Sequence, residues 1–240
     1  MPPVDPSPSA PPPGPVLLSD ETAVREIVSQ SVLRIWEVVN NLTRLRPTKR
    51  DRYWTTIFGS ARVQPDTPAY DDVKRLARRL ALAGCGIVTG GGPGLMQAAN
   101  EGAKEAPNGA SLGVRVDLPF EQEVNPFVTV AFEHRTFFTR LHQFVLMSDS
   151  FVVVPGGIGT VLELFMVWQL LQVRHIDDVP LILVGPMWPP LVEWVRASMI
   201  DGPMRFASPE DVRIPVCVAT TDEAAALVEQ HRAAWKARQA

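Results

Sequence analysis

The sequence is short of the features that mark several large classes of protein. It has two cysteines, Cys85 and Cys217, and no CxxC pair. That excludes a disulfide framework and reads as two reduced core residues in a cytoplasmic protein. No apolar run reaches membrane-spanning length, and the N-terminus lacks the basic-then-apolar order of a signal peptide. Basic residues are not in excess. The formal net charge of −3 argues against nucleic acid or a membrane surface as partner. The four histidines, His134, His142, His175 and His231, are scattered, and the eight-residue step from His134 to His142 does not suit a two-histidine metal motif on a helix. They read as core or solvated residues, and no metal or cofactor is expected. No G-x-x-x-x-G-K-[ST] stretch is present, so a P-loop NTPase is not indicated.

What the chain does have is alternation. Met1–Val16 carries eight prolines and almost nothing that could fill a core, so residues 1–17 are expected to be a disordered tail and 18–240 a single domain. Ser19-Asp20-Glu21 opens a helix that ends near Leu45-Arg46-Pro47. Strands are expected at Tyr53–Phe58, Gly86–Thr89, Ser111–Val116, Phe127–Phe132, Phe151–Val154, Leu181–Val184 and Val216–Ala219. Helices are expected between and after them, at Pro68–Ala83, from the turn Gly90–Met96 through about Lys104, and at Arg135–Met147, Ile158–Val173, Leu191–Met199 and Glu223–Lys236. Strands alternating with helices imply an α/β fold, a Rossmann-like, open, mostly parallel sheet with helices on both faces. Ligands of such sheets bind beyond the carboxyl ends of the strands.

Three small-residue turns fall at that end: Gly59-Ser60 after the first strand, Gly90-Gly91-Gly92-Pro93-Gly94-Leu95-Met96 after the second, and Pro155-Gly156-Gly157-Ile158-Gly159-Thr160 before a helix. Neither glycine turn fits the dinucleotide pattern G-x-G-x-x-G. A strand, a glycine turn and a helix N-terminus together make an anion site from free N–H groups and the helix dipole. The helix that follows is apolar almost all round, which predicts burial, and Glu163 is its only charge. Two readings of Glu163 stand side by side. Thr160-x-x-Glu163 fits a capping box, or the carboxylate faces the ligand and stabilises, or attacks, an oxocarbenium-like centre. Arg140 lies at the edge of an apolar stripe. It either snorkels to water or reaches the site to hold a phosphate or ribose oxygen.

The turns GGGPGLMQAAN at 90–100 and PGGIGTVLE at 155–163, with Phe138-Thr139-Arg140 between them, resemble the paired signatures of the LOG (Lonely Guy) family, once labelled possible lysine decarboxylases. The resemblance covers about Tyr53 to Met199. It implies a Rossmann-like homodimer or larger homo-oligomer that hydrolyses the N-glycosidic bond of cytokinin riboside 5′-monophosphates or AMP. Residue by residue, it implies Glu163 as catalytic carboxylate and Arg140 as catalytic or orienting arginine. Gly156, Gly157, Gly159 and Thr160 would bind the 5′-phosphate, and Gly91, Gly92 and Gly94, with Met96 beside the base, would complete the nucleotide pocket; Gly59 and Ser60 are expected to bind substrate from their place after the first strand alone. The chain departs from the family in having Arg140-Leu141 where Arg-Lys is usual. The alternative is a nucleotide-binding protein that keeps the phosphate cradle without turnover. The older label is rejected: a pyridoxal-phosphate decarboxylase needs a Schiff-base lysine, and none of Lys49, Lys74, Lys104 and Lys236 falls on a strand end near the glycine turns. Apolar helices rich in Phe137, Phe138, Phe165 and Trp168 are expected to hold subunits together.

Deleting Met1–Val16 should leave melting temperature and activity unchanged, since the segment has too little apolar surface to dock. A melting temperature lowered by several degrees would contradict this.

Overall fold

The computed structural model describes residues 17–42, 51–116 and 124–239. The chain divides into two compact units, Met1–Pro47 and Thr48–Ala240. In the first, helix α1 spans Glu21–Leu42. It starts where Ser19-Asp20-Glu21 predicts, because the Ala23 N–H donates to Asp20 Oδ1 at 3.0 Å and caps the first turn. The expected proline tail, up to Val16, and the expected helix end at Leu45-Arg46-Pro47 lie outside the described residues.

The second unit runs β1 (Tyr53–Phe58), α2 (Pro68–Leu82), β2 (Cys85–Thr89), α3 (Leu95–Lys104), β3 (Ser111–Val116), β4 (Val130–His134), α4 (Phe137–Met147), β5 (Ser150–Val153), α5 (Ile158–Gln172), β6 (Leu181–Val184), α6 (Trp188–Met199), β7 (Pro215–Val218) and α7 (Thr221–Gln239). The strands form one seven-stranded sheet in the order β4-β3-β2-β1-β5-β6-β7. Every pairing in it is parallel. Strands β2, β5 and β6 are buried along their whole length and read as mostly apolar runs because both faces are covered. Val152, Ile182 and Val184 pack with α2, α3 and α7 residues such as Leu76, Ala98 and Val228. Their neighbours Phe151, Val153, Leu181 and Leu183 pack with Phe144, Leu164 and Val195 from α4, α5 and α6. Building outward from β1, the chain lays β2 to β4 on one side and β5 to β7 on the other. The gap between the loops after β1 and β5 is the switch point where such sheets bind ligands.

Several expectations shift, each for a local reason. The fourth strand starts at Val130 rather than Phe127, because Asn125 Oδ1 accepts from the Phe127 N–H at 3.2 Å and holds that residue in a turn. Helix α4 starts at Phe137 rather than Arg135, since Thr136 is its cap and accepts from the Thr139 N–H. Helix α6 begins at Trp188, ahead of the expected Leu191, because prolines fit a first turn where N–H groups have no helical partner. Cys85 is buried as expected, but Cys217 is exposed because β7 is an edge strand. Helix α5 is not buried all round. Leu164 and Val167 face the core, whereas Ile158 and Leu162 are exposed. Trp168 supplies no surplus surface: it is buried, its Nε1 donates to the Asp211 carbonyl at 2.7 Å, and Phe165 stacks on it. Phe137 and Phe138 are exposed.

Helices α2 and α3 touch backbone to backbone at Gly102, where a Cβ would overlap the Lys74 carbonyl oxygen. Gly102→Ala should therefore destabilise the fold by about 1–3 kcal/mol, read by chemical denaturation, although alanine is the better helix former. An unchanged or higher stability would refute this packing.

Candidate active site

The loops after β1, β2 and β5 are tied to one another by backbone. The Ser60 N–H donates to the Pro155 carbonyl at 3.1 Å, and the Leu95 N–H donates to the Ser60 carbonyl at 2.8 Å. The second bond explains Gly94. Its φ is +70°, and a Cβ there would overlap the Ser60 oxygen. Gly59 is similarly crowded, with a Cβ position 2.6 Å from Val154 Cγ2. These two glycines let the loops meet.

Gly157 and Gly159 are different. Gly157 is the N-cap of α5, with no side-chain cap, and a Cβ on either glycine would meet nothing within 4 Å. The first helical bond runs from the Val161 N–H to the Gly157 carbonyl. The N–H groups of Ile158, Gly159 and Thr160 therefore precede any helical acceptor and open toward the space the glycines leave. This arrangement overturns the capping-box reading. Thr160 lies inside the helix, packed against Gly156, and Glu163 lies beyond the first turn.

Glu163 is buried, only 8% exposed, and one of its oxygens lies 3.3 Å from Nη2 of Arg140. Burial raises its carboxyl to a pKa of about 7, and the Arg140 charge offsets only part of that cost. Arg140 does not snorkel. Its Nε donates to the Val114 carbonyl at 2.9 Å, and its guanidinium carbon lies 5.4 Å from the Phe144 ring centre. Gly90 makes room for it: a Cβ there would lie 2.5 Å from the same Nη2. His134, at the end of β4, has its ring pKa lowered by burial and by the Arg140 charge.

The turn after β2 is held by a buried polar network. Gly91, at φ +76°, donates its N–H to Thr89 Oγ1 at 2.9 Å, and Thr89 in turn donates to Asn100 Oδ1 at 2.7 Å. Asn125 Nδ2 donates to the carbonyls of Gly91 and Gly92 at 3.1 and 2.9 Å, and to Asn100 Oδ1 at 2.9 Å. Asn125 belongs to no motif, so sequence reasoning misses it. Gly90 is missed because glycine triplets do not say which member carries the contact.

Two hollows result. One of about 500 Å³ is lined by Gly59, Ser60, Met96, Arg140, Gly156, Gly157, Gly159, Thr160 and Glu163, all predicted, together with Arg62 and Met187 among others. The second, about 300 Å³, is lined by Gly91, Gly92 and Met96 with Gly90, Arg62, Arg115, Val124 and Arg140 among others. Gly94 lines neither hollow. Nor does the half-buried Leu141, or, among the described residues, any lysine. The arrangement offers an anion a helix N-terminus, and offers a developing positive charge an adjacent carboxylate.

The raised Glu163 pKa has a signed consequence for stability. The folded chain holds this proton more tightly than the unfolded chain does, so the group favours folding most below about pH 4.5 and loses that contribution as pH rises to about 7. Glu163→Gln should thus gain stability relative to wild type across that window, by up to about 3 kcal/mol at pH 8 compared with pH 4.5. Urea unfolding of both proteins from pH 4.5 to 8 measures it. A difference that does not change with pH would contradict the burial argument.

The family described as "Possible lysine decarboxylase" matches residues 96–228. A pyrimidine/purine nucleotide 5′-monophosphate nucleosidase of Escherichia coli K12 is 30% identical over 122 residues, 47% of this chain and 27% of that protein. The chain thus matches only about a quarter of the length of that relative. A probable cytokinin riboside 5′-monophosphate phosphoribohydrolase of Oryza sativa subsp. japonica is 27% identical over 184 residues, 74% of this chain and 83% of that protein. Among solved structures, the Moco carrier protein of Chlamydomonas reinhardtii matches with a TM-score of 0.56 at 23% identity, over 76% of this chain and 98% of its own. The molybdenum cofactor binding protein of Rippkaea orientalis matches with 0.57 at 19% identity, over 76% and 98%. Both share the fold. With the family match spanning more than half of the residues, the chain belongs to the possible lysine decarboxylase family, also known as the LOG family.

Proposed function

We propose that this chain hydrolyses the N-glycosidic bond of a nucleoside 5′-monophosphate, releasing the free base and ribose 5-phosphate. One observation carries the reading. A buried carboxyl, Glu163, lies in a hollow that also contains an open, glycine-lined helix N-terminus. The names of the E. coli and rice relatives both specify 5′-monophosphates. In this reading the 5′-phosphate binds the N–H groups of Ile158, Gly159 and Thr160. The ribose then lies over Glu163. As the C1′–N bond breaks, positive charge grows on the ring and the carboxylate stabilises it, or captures C1′ before water does. Arg140 orients the carboxylate and offers its outer nitrogens to ribose or phosphate oxygens. The resemblance points to a purine, adenine or its N6-substituted forms. The chain would work in the cytoplasm as at least a homodimer, to which the exposed Phe137 and Phe138 would contribute apolar surface. Among the described residues no helix is long and apolar enough to cross a membrane.

Base release from purine nucleoside 5′-monophosphates, followed by chromatography, tests the activity. Glu163→Gln should keep the fold and lower turnover roughly a hundredfold, about 3 kcal/mol of transition-state stabilisation. Arg140→Ala should weaken both binding and turnover. The acid limb of wild-type kcat/KM should fall near pH 7, because only ionised Glu163 can act. Wild-type turnover in Glu163→Gln would sink the assignment.

A further inference from the structure

The second hollow has a chemistry of its own. It joins the first at Arg62, Met96 and Arg140, which line both. A ribose over Glu163 would therefore send its base past Arg140 into the second hollow. No acidic side chain lines that hollow among the described residues, whereas Arg62, Arg115 and Arg140 do. Arg140 already engages Glu163 and the Val114 carbonyl, and in the hydrolase reading it serves the ribose or phosphate, not the base. Arg115 stands on β3, and its only ion pair among the described residues is a 3.8 Å contact from Nε to the exposed Glu133. Among the described residues its two outer nitrogens have no partner and are open to a ligand. Arg62 has no ion pair among the described residues.

Guanidinium groups donate and never accept. A base that suits this hollow therefore presents acceptors side by side. The 6-oxopurines do so, with O6 and N7 adjacent on one edge, the pair that arginine grips with two parallel bonds. Adenine places an amino donor at that edge, and an N6-alkyl group adds bulk where an arginine stands.

We propose that the second hollow is the leaving-base subsite and that Arg115, flanked by Arg62, selects 6-oxopurine nucleotides over adenine and N6-substituted adenine nucleotides. The proposal rests on the hydrolase reading above and replaces the adenine-type base to which the resemblance points with a 6-oxopurine. The same contact favours the reaction. The C1′–N9 bond breaks with its electron pair going to the base, and a water oxygen bonds to C1′. A proton from that water passes through Glu163 and ends on a base nitrogen. While the base is still unprotonated, its negative charge spreads onto O6 and N7, where Arg115 holds it more tightly than the neutral ground state.

The test compares kcat/KM for inosine, guanosine, adenosine and N6-isopentenyladenosine 5′-monophosphates. The two 6-oxo substrates should lead adenosine monophosphate by about tenfold or more, the worth of one bidentate pair. Arg115→Gln carries both a donor and an acceptor, the pattern that grips adenine N6 and N7, so it should move the ratio about tenfold toward adenosine monophosphate. Inhibition by inorganic phosphate, which would bind at α5, should not change. Equal or better wild-type cleavage of the adenine substrates overturns the proposal without any variant. An unchanged ratio in a folded Arg115→Gln does so as well. Should no nucleotide be cleaved, the hydrolase reading falls. Calorimetry with inosine and adenosine monophosphates then decides the subsite: tighter inosine monophosphate supports it and equal binding overturns it.

Discussion

A carboxylate and a guanidinium, both nearly out of water, face each other across 3.3 Å at the carboxyl end of the sheet. Burying such a pair costs more than its attraction returns unless the remaining polar atoms are satisfied. Arg140 meets part of that condition through the Val114 carbonyl and the Phe144 ring. Among the described residues Glu163 is paired with Arg140, and burial still raises its carboxyl pKa to about 7. The fold thus keeps a buried carboxyl beside a nearly buried guanidinium. Much of the surrounding structure can be read as what keeps those two side chains together: Gly90 leaves room for the guanidinium, and α4 and α5 pack on the same face of the sheet.

The loops need the same kind of support. A glycine-rich turn is costly to order because glycine has the most freedom to lose. Here Asn125 holds the carbonyls of Gly91 and Gly92 and is itself anchored to Asn100. Ser60 bridges the turns after β2 and β5 through its own backbone. A rigid frame of this kind holds the open N-terminus of α5 and the Glu163 carboxyl at a fixed separation, as the proposed reaction at one ribose carbon would require.

How far the site was legible depends on the reach of each signal. Glu163 was legible as the lone charge of an apolar helix, but its sequence neighbour Thr160 suggested a local cap. Local spacing could not tell the two readings apart, because they differ only in where the helix begins. The backbone starts α5 at Ile158, and that alone carries Glu163 out of the first turn. Arg140 was legible as a candidate, but its position at the edge of an apolar stripe left open whether it turns outward or inward. Its burial comes from Val114 and Gly90, which are distant in the chain. Asn125 carried no signal, since a single asparagine in a loop looks like a solvated one.

By itself, then, the sequence determined the elements and their class. Alternating apolar strands and amphipathic helices have few ways to bury both faces of a sheet, so periodicity sufficed for a parallel α/β fold and for the sheet end at which the candidate site lies. It also determined the glycine turns, because only glycine permits the close approach and the positive φ seen at Gly94. Only the tertiary structure decided which glycines face packing and which face open space, that Arg140 turns inward, and that Arg62 and Arg115 meet at one hollow. Those outcomes depend on contacts between segments tens of residues apart. Charge and burial there are set by the neighbours the fold supplies, which no local pattern contains.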